Sequence, residues 1–337
     1  MTYSKQQQQY EEIKDSLLKE YLQFAIELAT KAGKMMLKAN LSNSLVNNDD
    51  DHIDLNNGNH LIANETKKNR IDLVTEFDLA IEKYIFNSLR EHYPDHVFIG
   101  EEDSSVNNIK NDNRINSNSP TWIVDPIDGT MNFVHHYPLC CVSIGLAISQ
   151  ELVVGVIMAP FIDRLYTAVK GYGARCNGKP IKVSSNQKII DSLVLNEIQF
   201  NESTTTAVSQ QHQNAHEYYE ERLRGIQKES RTTKPYLRYL FNNLLWKCQS
   251  VRYIGSACIS LAMVAEGSAD VMIHNDLCLW DLAAGYVLVT EAGGTVRTIY
   301  GDPFDPHSGT VLATSNPDLA EEVAKLTRGA RQAAGDC

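Results

Sequence analysis

The chain has 337 residues, 43% hydrophobic and 22% charged, so it is long enough to bury a large core. Its formal net charge of −11 argues against binding nucleic acid or an anionic membrane surface through general electrostatics. The seven cysteines show no CxxC pair or zinc-type spacing, the N-terminus has no signal-peptide pattern, and no apolar run could cross a bilayer, so we expect reduced thiols in a soluble cytoplasmic protein.

The N-terminal part of the chain is predicted to be helical, with polar interruptions. A disordered polar tail over 1–10 precedes a segment, 11–39, in which apolar residues recur at helical spacing. The Asn- and Asp-rich stretch 40–60 lacks periodicity, which indicates an inserted loop. Residues 71–75 predict a strand entry, and 77–90 predict an amphipathic helix.

The next elements lead to the stretch WIVDPIDGTMNFVH, residues 122–135, around which the chain is predicted to be organised. A short buried strand, 97–99, is followed by Glu101 and by an Asn/Ser-rich insertion over about 104–119. A second strand is then expected to stop at Pro126. Asp128 fits a helix N-cap and faces the same side of the turn as Asp125. Two interpretations stay open here: a Mg²⁺-bridged phosphate site, or a capped strand-turn-helix with a solvated Asp125.

The C-terminal half is predicted to contain an antiparallel sheet followed by alternating helices and strands. Asn177-Gly178 is a strong hairpin signal, and a polar insertion is expected over about 201–240, with a helix near 216–227. The predicted strands are 141–148, 152–158, 164–169, 181–183, 250–253, 269–273, 295–299 and 311–313. The predicted helices are 257–265, 280–292 and 318–326, with a tail over 331–337.

Carboxylates recur where apolar strands stop or helices start. Any one of them could be a helix cap, but caps do not need to be carboxylates, so the group favours a common ligand site. The positions are Glu101, Asp125, Asp128 and Asp281, with Asp78 as a weaker fifth. Other reactive residue types near the central stretch are expected to be structural: His135, His136, Cys140 and Cys141.

Four motifs resemble the inositol monophosphatase family, a group of Mg²⁺-dependent, lithium-sensitive phosphomonoesterases. They are DLVTEFD (72–78), FIGEED (98–103), WIVDPIDGTMNFVH (122–135) and WDLAAGYVLVTEAGG (280–294). The similarity extends over about 11–330, which we expect to be a single catalytic domain. It implies a five-layered αβαβα sandwich, a homodimer and a role in inositol metabolism and phosphatidylinositol signalling.

The resemblance also implies a site with two or three Mg²⁺ ions. Glu101, Asp125 and the carbonyl of Ile127 match the ligands of the first ion, and Asp125, Asp128 and Asp281 those of the second. The expected catalytic residues are Glu101, Thr130 and Asp78, the last two orienting a water. The expected substrate-binding residues are Glu101, Ile127, Asp128, Gly129, Thr130, Gly255, Ser256, Ala257, His274 and Asp281, with phosphate at the amides of Gly129 and Thr130.

One position departs from the family pattern. Where the family has a glutamate that meets a ring hydroxyl, this chain has His274, and Asp276 could substitute for it. The reaction that the resemblance implies is hydrolysis of myo-inositol monophosphate by metal-activated water. The alternatives are a phosphatase of the same fold for a bisphosphonucleotide, sugar phosphate or histidinol phosphate, and a non-catalytic metal-binding scaffold.

Overall fold

A computed structural model describes residues 3–44, 70–106, 118–196 and 246–334, together with 115, 243 and 244. The helices are α1 Tyr3–Ser44, α2 Arg70–His92, α3 Glu101–Val106, α4 Thr130–Val134, α5 Ala257–Ala265, α6 Leu279–Glu291 and α7 Pro317–Ala334. The strands are β1 Val97–Gly100, β2 Thr121–Asp128, β3 Cys141–Ile148, β4 Glu151–Ala159, β5 Arg164–Val169, β6 Gly173–Cys176, β7 Lys179–Ile181, β8 Leu193–Asn196, β9 Ser250–Arg252, β10 Val271–Asn275, β11 Thr295–Arg297 and β12 Thr310–Thr314.

A seven-stranded sheet runs β1 to β7 in chain order. The β1–β2 pair is parallel and the remaining pairs are antiparallel, as predicted for the segment after His135. Helices α1 and α2 cover one face of this sheet, where Ala25, Ile85 and Trp122 are among the fully or almost fully buried core residues. Burial of this apolar stripe is what holds the outer helices to the sheet.

The middle layer is formed by α5 and α6, which lie between the two sheets. Gly145 of β3 and Gly155 of β4 are register partners. A Cβ at Gly145 would lie 2.7 Å from Cβ of Ala283, and one at Gly155 would meet the backbone of Ala284. The two glycines therefore allow α6 to approach the sheet closely.

The second sheet has five strands in the order β11-β12-β10-β8-β9, and α7 packs on its outer face. Its core includes Val271, Leu312 and Val323, all fully buried. Taken from α1 and α2 to α7, the layers are helix, sheet, helix, sheet, helix. The expected five-layered αβαβα sandwich is confirmed.

Two N-terminal segments differ from the sequence prediction. Helix α1 begins at Tyr3, within the segment predicted as a polar tail over 1–10. Gln, Lys and Glu are good helix formers, and a long helix extends readily once its amphipathic part is packed. Residues 71–75, predicted as a strand entry, belong to α2 instead, because the strong helical segment after Phe77 propagates backwards through them.

Other element boundaries differ from the sequence prediction by a few residues. Strand β2 continues through Pro126 to Asp128, because its register with β3 shifts between Asp125 and Asp128 and such a bulge tolerates a proline. The tail expected at 331–337 is helical up to Ala334. The Asn177-Gly178 hairpin is confirmed, with φ of 48° and 75° between β6 and β7. Most of the insertions expected at 40–60, 104–119 and 201–240 lie outside the described residues.

Within the described part of the chain, no helix combines the length and the apolar character needed to cross a membrane.

Candidate functional site

The parallel pairing of β1 and β2 brings the first two acidic motifs together. Gly100, the last residue of β1, is the register partner of Val124 in β2. The residue that follows each of these two partners is a carboxylate, Glu101 at the start of α3 and Asp125 in β2. Because neighbouring parallel strands end side by side, the two carboxylates meet at one edge of the sheet.

Three aspartates from two distant parts of the chain converge at this edge. Ligand oxygens of Asp125, Asp128 and Asp281 all lie within 4.8 Å of one another. Asp125 and Asp128 come from the bulged end of β2 and are buried, whereas Asp281 lies in the first turn of α6 and is half-buried. Asp281 Oδ2 also accepts a 2.6 Å hydrogen bond from the amide of Cys278, which fixes its orientation.

Asp128 caps a helix, but not the one that follows it. The N-cap of α4 is Gly129, whose φ of 83° is in the left-handed region that favours glycine, and no side chain caps it. Asp128 instead accepts hydrogen bonds from the amides of Ala257 and Cys258 at 3.1 and 3.0 Å, and from the Ser256 hydroxyl. The predicted local cap is therefore wrong, and Asp128 ties β2 to the N-terminus of α5.

Helix α2 contributes two further buried carboxyl groups, Asp78 and Glu82, which are 3% and 5% exposed. Their spacing of four residues places them on the same face of α2. Both Glu82 oxygens accept hydrogen bonds, each 2.9 Å, from the amides of Glu102 and Asp103 at the start of α3. The sequence analysis missed Glu82, and its helical spacing from Asp78 was the signal that could have found it.

The acidic groups perturb one another strongly. Burial raises the pKa of Asp78 to about 9 and that of Glu101 to about 7, and neighbouring glutamates add to both shifts. Burial likewise raises the pKa of Asp125 and Asp281 well above the usual range, with the charge of Asp128 contributing in each case. Gathering these carboxylates stores electrostatic repulsion that a bound cation would relieve.

The donor set fits a hard divalent cation. Among the described residues, the buried side-chain oxygens that have no hydrogen-bond partner are Asp78 Oδ1, Ser104 Oγ and Asp125 Oδ1. Asp125 Oδ1 belongs to the aspartate cluster, and buried polar atoms normally have partners, so an ion is the fitting ligand for it. The cluster of Asp125, Asp128 and Asp281 offers only oxygen ligands, which is the set that magnesium prefers over zinc.

Comparison with known sequences identifies the family of the chain. A sequence model of the Inositol monophosphatase family matches residues 17–332. Inositol monophosphatase 1 of Solanum lycopersicum is 38% identical over 305 residues, which covers 90% of this chain and 93% of that protein. The chain belongs to the inositol monophosphatase family. It is accordingly a phosphoric monoester hydrolase.

Solved structures agree with the assignment. Inositol monophosphatase from Anabaena (Nostoc) sp. PCC 7120 superposes with a TM-score of 0.66 at 27% identity, covering 93% of this chain and 96% of that one. A structure of 2'AMP-bound SaIMPase-II superposes with a TM-score of 0.65 at 25% identity, covering 94% and 97%. The layered fold of this inositol monophosphatase family member is thus the fold of solved relatives.

In this family member, the turn before α5 lies directly against the start of α4. A Cβ at Gly129 would lie 3.0 Å from the carbonyl oxygen of Gly255 and 3.2 Å from Cβ of Ser256. Asn132 fastens the two segments, since its Nδ2 donates to the carbonyls of Leu139 at 2.7 Å and Ile254 at 2.8 Å. The structure therefore brings Gly129 and Thr130 beside Gly255, Ser256 and Ala257, and sequence reasoning missed Asn132.

Three further predicted residues are Thr130, which is half-buried, and Ile127 and His274, which are buried. The Thr130 hydroxyl donates a 3.1 Å hydrogen bond to the carbonyl of Ile127, which links the two residues. His274, near the end of β10, is 2% exposed, and its Nδ1 donates to the carbonyl of Asn275 at 2.7 Å. Burial lowers the pKa of His274 to about 4, so its ring is neutral near pH 7.

Proposed function

We propose that the chain hydrolyses a small phosphate monoester, a myo-inositol monophosphate, in a Mg²⁺-dependent reaction. The observation that carries the proposal is the convergence of Asp125, Asp128 and Asp281, one of which, Asp125, has a buried Oδ1 without a hydrogen-bond partner. The names of its relatives support inositol monophosphate as the substrate class. Phosphate monoesters hydrolyse extremely slowly without a catalyst. A carboxylate cluster that holds metal ions provides the positive charge that neutralises such a substrate and activates a water.

The residues of the chain have distinct parts in the proposed site. Glu101, Asp125 and the Ile127 carbonyl would hold one Mg²⁺, and Asp128 and Asp281 would join Asp125 around another. When bound, the metal supplies charge neutralisation of the phosphate and lowers the pKa of a coordinated water.

Proton handling and phosphate binding fall to other groups. Asp78, with a pKa of about 9, holds its proton at neutral pH in the metal-free protein and, together with the Thr130 hydroxyl, would orient the water. The backbone amides of Gly129 and Thr130, at the start of α4, would receive the phosphate oxygens. Among Cys, Ser and His side chains, none is needed as a covalent nucleophile in this scheme.

The experiment that tests the proposal is a Mg²⁺ titration of phosphate release from myo-inositol 1-phosphate. Asp125→Asn is expected to lower kcat/KM by at least about 100-fold and to weaken Mg²⁺ binding measured by calorimetry, since it removes an anionic ligand. Asp191→Asn, which alters an exposed aspartate outside the acidic cluster, is the matched control and should retain both kcat/KM and Mg²⁺ affinity. Phosphate release that proceeds unchanged in EDTA would contradict the proposal.

A second candidate substrate is another small phosphate, such as a nucleotide, sugar phosphate or histidinol phosphate. His274, in place of the family glutamate, favours it, and 2'AMP is bound by a related protein. Steady-state kinetics on a panel of myo-inositol 1-phosphate, 2'AMP, a sugar phosphate and histidinol phosphate separate the candidates, because the native substrate should have the highest kcat/KM.

Three further properties are proposed from family membership. We expect a homodimer, which light scattering of the purified chain measures directly. We expect inhibition by lithium, which the same phosphate-release assay reports. We expect a cytoplasmic enzyme of inositol metabolism, a location that microscopy of the tagged chain tests. A non-catalytic scaffold is disfavoured because the complete acidic motif set is present.

A further inference from the structure

Two cysteine thiols lie directly behind the acidic cluster and form a second group of potential metal ligands. Cys141 is the register partner of Asp128 across the β2–β3 pair, and Cys258 is the second residue of α5. Both cysteines are fully buried. The sulfur atoms of Cys141 and Cys258 and an oxygen of Asp128 all lie within 4.8 Å of one another.

Asp128 is hydrogen-bonded to both cysteines, while the Cys258 thiol also donates to the carbonyl of Asp281 at 3.3 Å. The Cys141 thiol donates to Asp128 Oδ2 at 3.5 Å, and the amide of Cys258 donates to the same oxygen at 3.0 Å. With Zn–S of about 2.3 Å and Zn–O of about 2.0 Å at a tetrahedral angle, sulfur and oxygen ligands of one zinc ion lie about 3.5 Å apart. The observed separation of Cys141 Sγ and Asp128 Oδ2 is that distance.

A further oxygen donor stands beside the group. The Ser256 hydroxyl lies 4.0 Å from Cys141 Sγ and also hydrogen-bonds Asp128. Thiolate sulfur selects zinc or cadmium over magnesium, whereas the all-oxygen cluster of Asp125, Asp128 and Asp281 does the reverse. The two sets differ in chemistry but share one residue, Asp128.

We propose that Asp128, Cys141 and Cys258 form an inhibitory site for a thiophilic divalent cation, Zn²⁺ or Cd²⁺. On binding, two S–H bonds break, their protons leave to solvent, and two sulfur–metal bonds form in their place. The same ion takes Asp128 as its third ligand and so removes it from the oxygen set that holds Mg²⁺. This inhibition rests on the proposed function, whereas the binding of the ion to the thiols does not.

The binding is tested on the metal-free full-length protein kept in a phosphine reductant. Titration with Cd²⁺ is expected to produce sulfur-to-metal charge-transfer absorption that saturates at one equivalent. Cys141→Ala and Cys258→Val should each weaken this binding by at least about 100-fold, since even outer-shell changes at metal sites cost 10- to 100-fold. Cys140→Ala is the matched control, because Cys140 is equally buried but belongs to the core on the opposite face of the sheet.

The wild-type titration decides the proposal even where a variant folds poorly. A wild-type protein without thiolate absorption overturns it, as does a Cys140→Ala variant that loses the band as fully as Cys141→Ala. Thermal unfolding of each variant identifies those that have lost the fold. The absorption reports metal binding whether or not the protein hydrolyses any phosphate, so failure of the proposed function is distinguishable.

Inhibition by the bound ion is measured separately from its binding. Zn²⁺ should inhibit phosphate release by the wild type, and Cys258→Val should raise the half-inhibiting Zn²⁺ concentration at least tenfold relative to its own uninhibited rate. Raising Mg²⁺ tenfold should weaken the apparent Cd²⁺ affinity, because both ions require Asp128. Cd²⁺ binding that is indifferent to Mg²⁺ overturns the shared role of Asp128.

Discussion

At the residue scale, we propose that His274 influences substrate specificity, because the resemblance to the family implies a glutamate at this position. The ring is buried near the end of β10, and its Nδ1 donates a hydrogen bond to the carbonyl of Asn275. Because burial lowers the pKa of His274 to about 4, the ring is neutral near pH 7, unlike the glutamate that the resemblance implies at this position. Two residues later Asp276 is exposed, with φ of 65°, and carries the negative charge that His274 lacks.

We predict that His274→Asn raises KM for myo-inositol 1-phosphate about 2- to 10-fold and leaves kcat nearly unchanged. A neutral hydrogen bond to a ring hydroxyl contributes about 0.5–1.5 kcal/mol, and His274 is not among the residues proposed to bind phosphate or metal. Since its pKa lies near 4, the KM effect should be equal at pH 6 and pH 8. Steady-state kinetics at both pH values measure this.

Asp276→Asn provides the comparison for that experiment. If Asp276 supplies the ring acceptor, its substitution should raise KM more than His274→Asn does, because hydrogen bonds to charged groups are stronger. A fall in kcat with either variant, or a KM effect of His274→Asn that appears only at low pH, would contradict the assignment.

At the element scale, short helix α3 depends on α2 for its position. Glu82 accepts the amides of Glu102 and Asp103, so its carboxylate caps the first turn of a helix from another part of the chain. Burial raises the pKa of Glu82 to about 7, and these amide hydrogen bonds act in the opposite direction. Glu101 begins α3, so the Glu82 cap fixes where a proposed metal ligand lies.

We predict that Glu82→Ala weakens Mg²⁺ binding about 10- to 100-fold, in the range of other outer-shell changes at metal sites. It should also lower the free energy of unfolding by about 1–3 kcal/mol, because two amides lose their acceptor. Calorimetric Mg²⁺ titration and denaturant unfolding measure the two effects separately.

Glu82→Gln should recover part of the Mg²⁺ affinity, since its amide oxygen can still accept one hydrogen bond. Glu91→Gln, at an exposed position on the same helix, should change neither quantity. If Glu82→Ala lowered stability while Mg²⁺ affinity stayed unchanged, Glu82 would be a structural residue without influence on Glu101.

At the scale of the whole molecule, the fold concentrates negative charge that its sequence distributes along the chain. Asp78, Glu101, Asp125 and Asp281 come from α2, α3, β2 and α6, and the pKa of each is raised chiefly by burial. In the unfolded chain these groups titrate in the ordinary carboxyl range. The metal-free native state therefore holds more protons than the unfolded state between about pH 4 and pH 9.

We predict that the free energy of unfolding of the metal-free protein falls as pH rises through this window. A native state that binds more protons than the unfolded state gives a negative slope with pH. A decrease of at least about 2 kcal/mol is expected between pH 5 and pH 8, because each unit of pKa shift corresponds to about 1.4 kcal/mol. Urea unfolding in EDTA at a series of pH values measures the slope.

Mg²⁺ should offset that loss, and more strongly at pH 8 than at pH 5, because the ion binds deprotonated carboxylates of the native state only. Asp125→Asn should reduce the pH dependence of stability in EDTA and also the pH dependence of stabilisation by Mg²⁺. Stability of the EDTA-treated protein that rises between pH 5 and pH 8 would contradict the prediction.

Local patterns in the sequence were sufficient for many of the helices and strands and for the identity of the acidic residues, whereas the layered architecture was implied by the resemblance of four motifs to the family. Helical spacing after Phe77, alternating runs after His135 and the Asn177-Gly178 turn each depend on near neighbours in the chain, and the structure keeps all three. The residue types of the motif around Asp125 and Asp128 likewise indicate its chemistry, because carboxylates are typical metal ligands. This is why the acidic motifs could be recognised before their positions in space were known.

Only the tertiary structure decided what Asp128 caps and which residues surround it. Its local sequence favours a cap for α4, yet its hydrogen bonds go to Ala257 and Cys258, far along the chain. The same packing placed Glu82 beneath α3 and the thiols of Cys141 and Cys258 behind the carboxylates. Such contacts arise when distant segments bury their apolar faces together, and no pattern among neighbouring residues encodes which distant partner arrives.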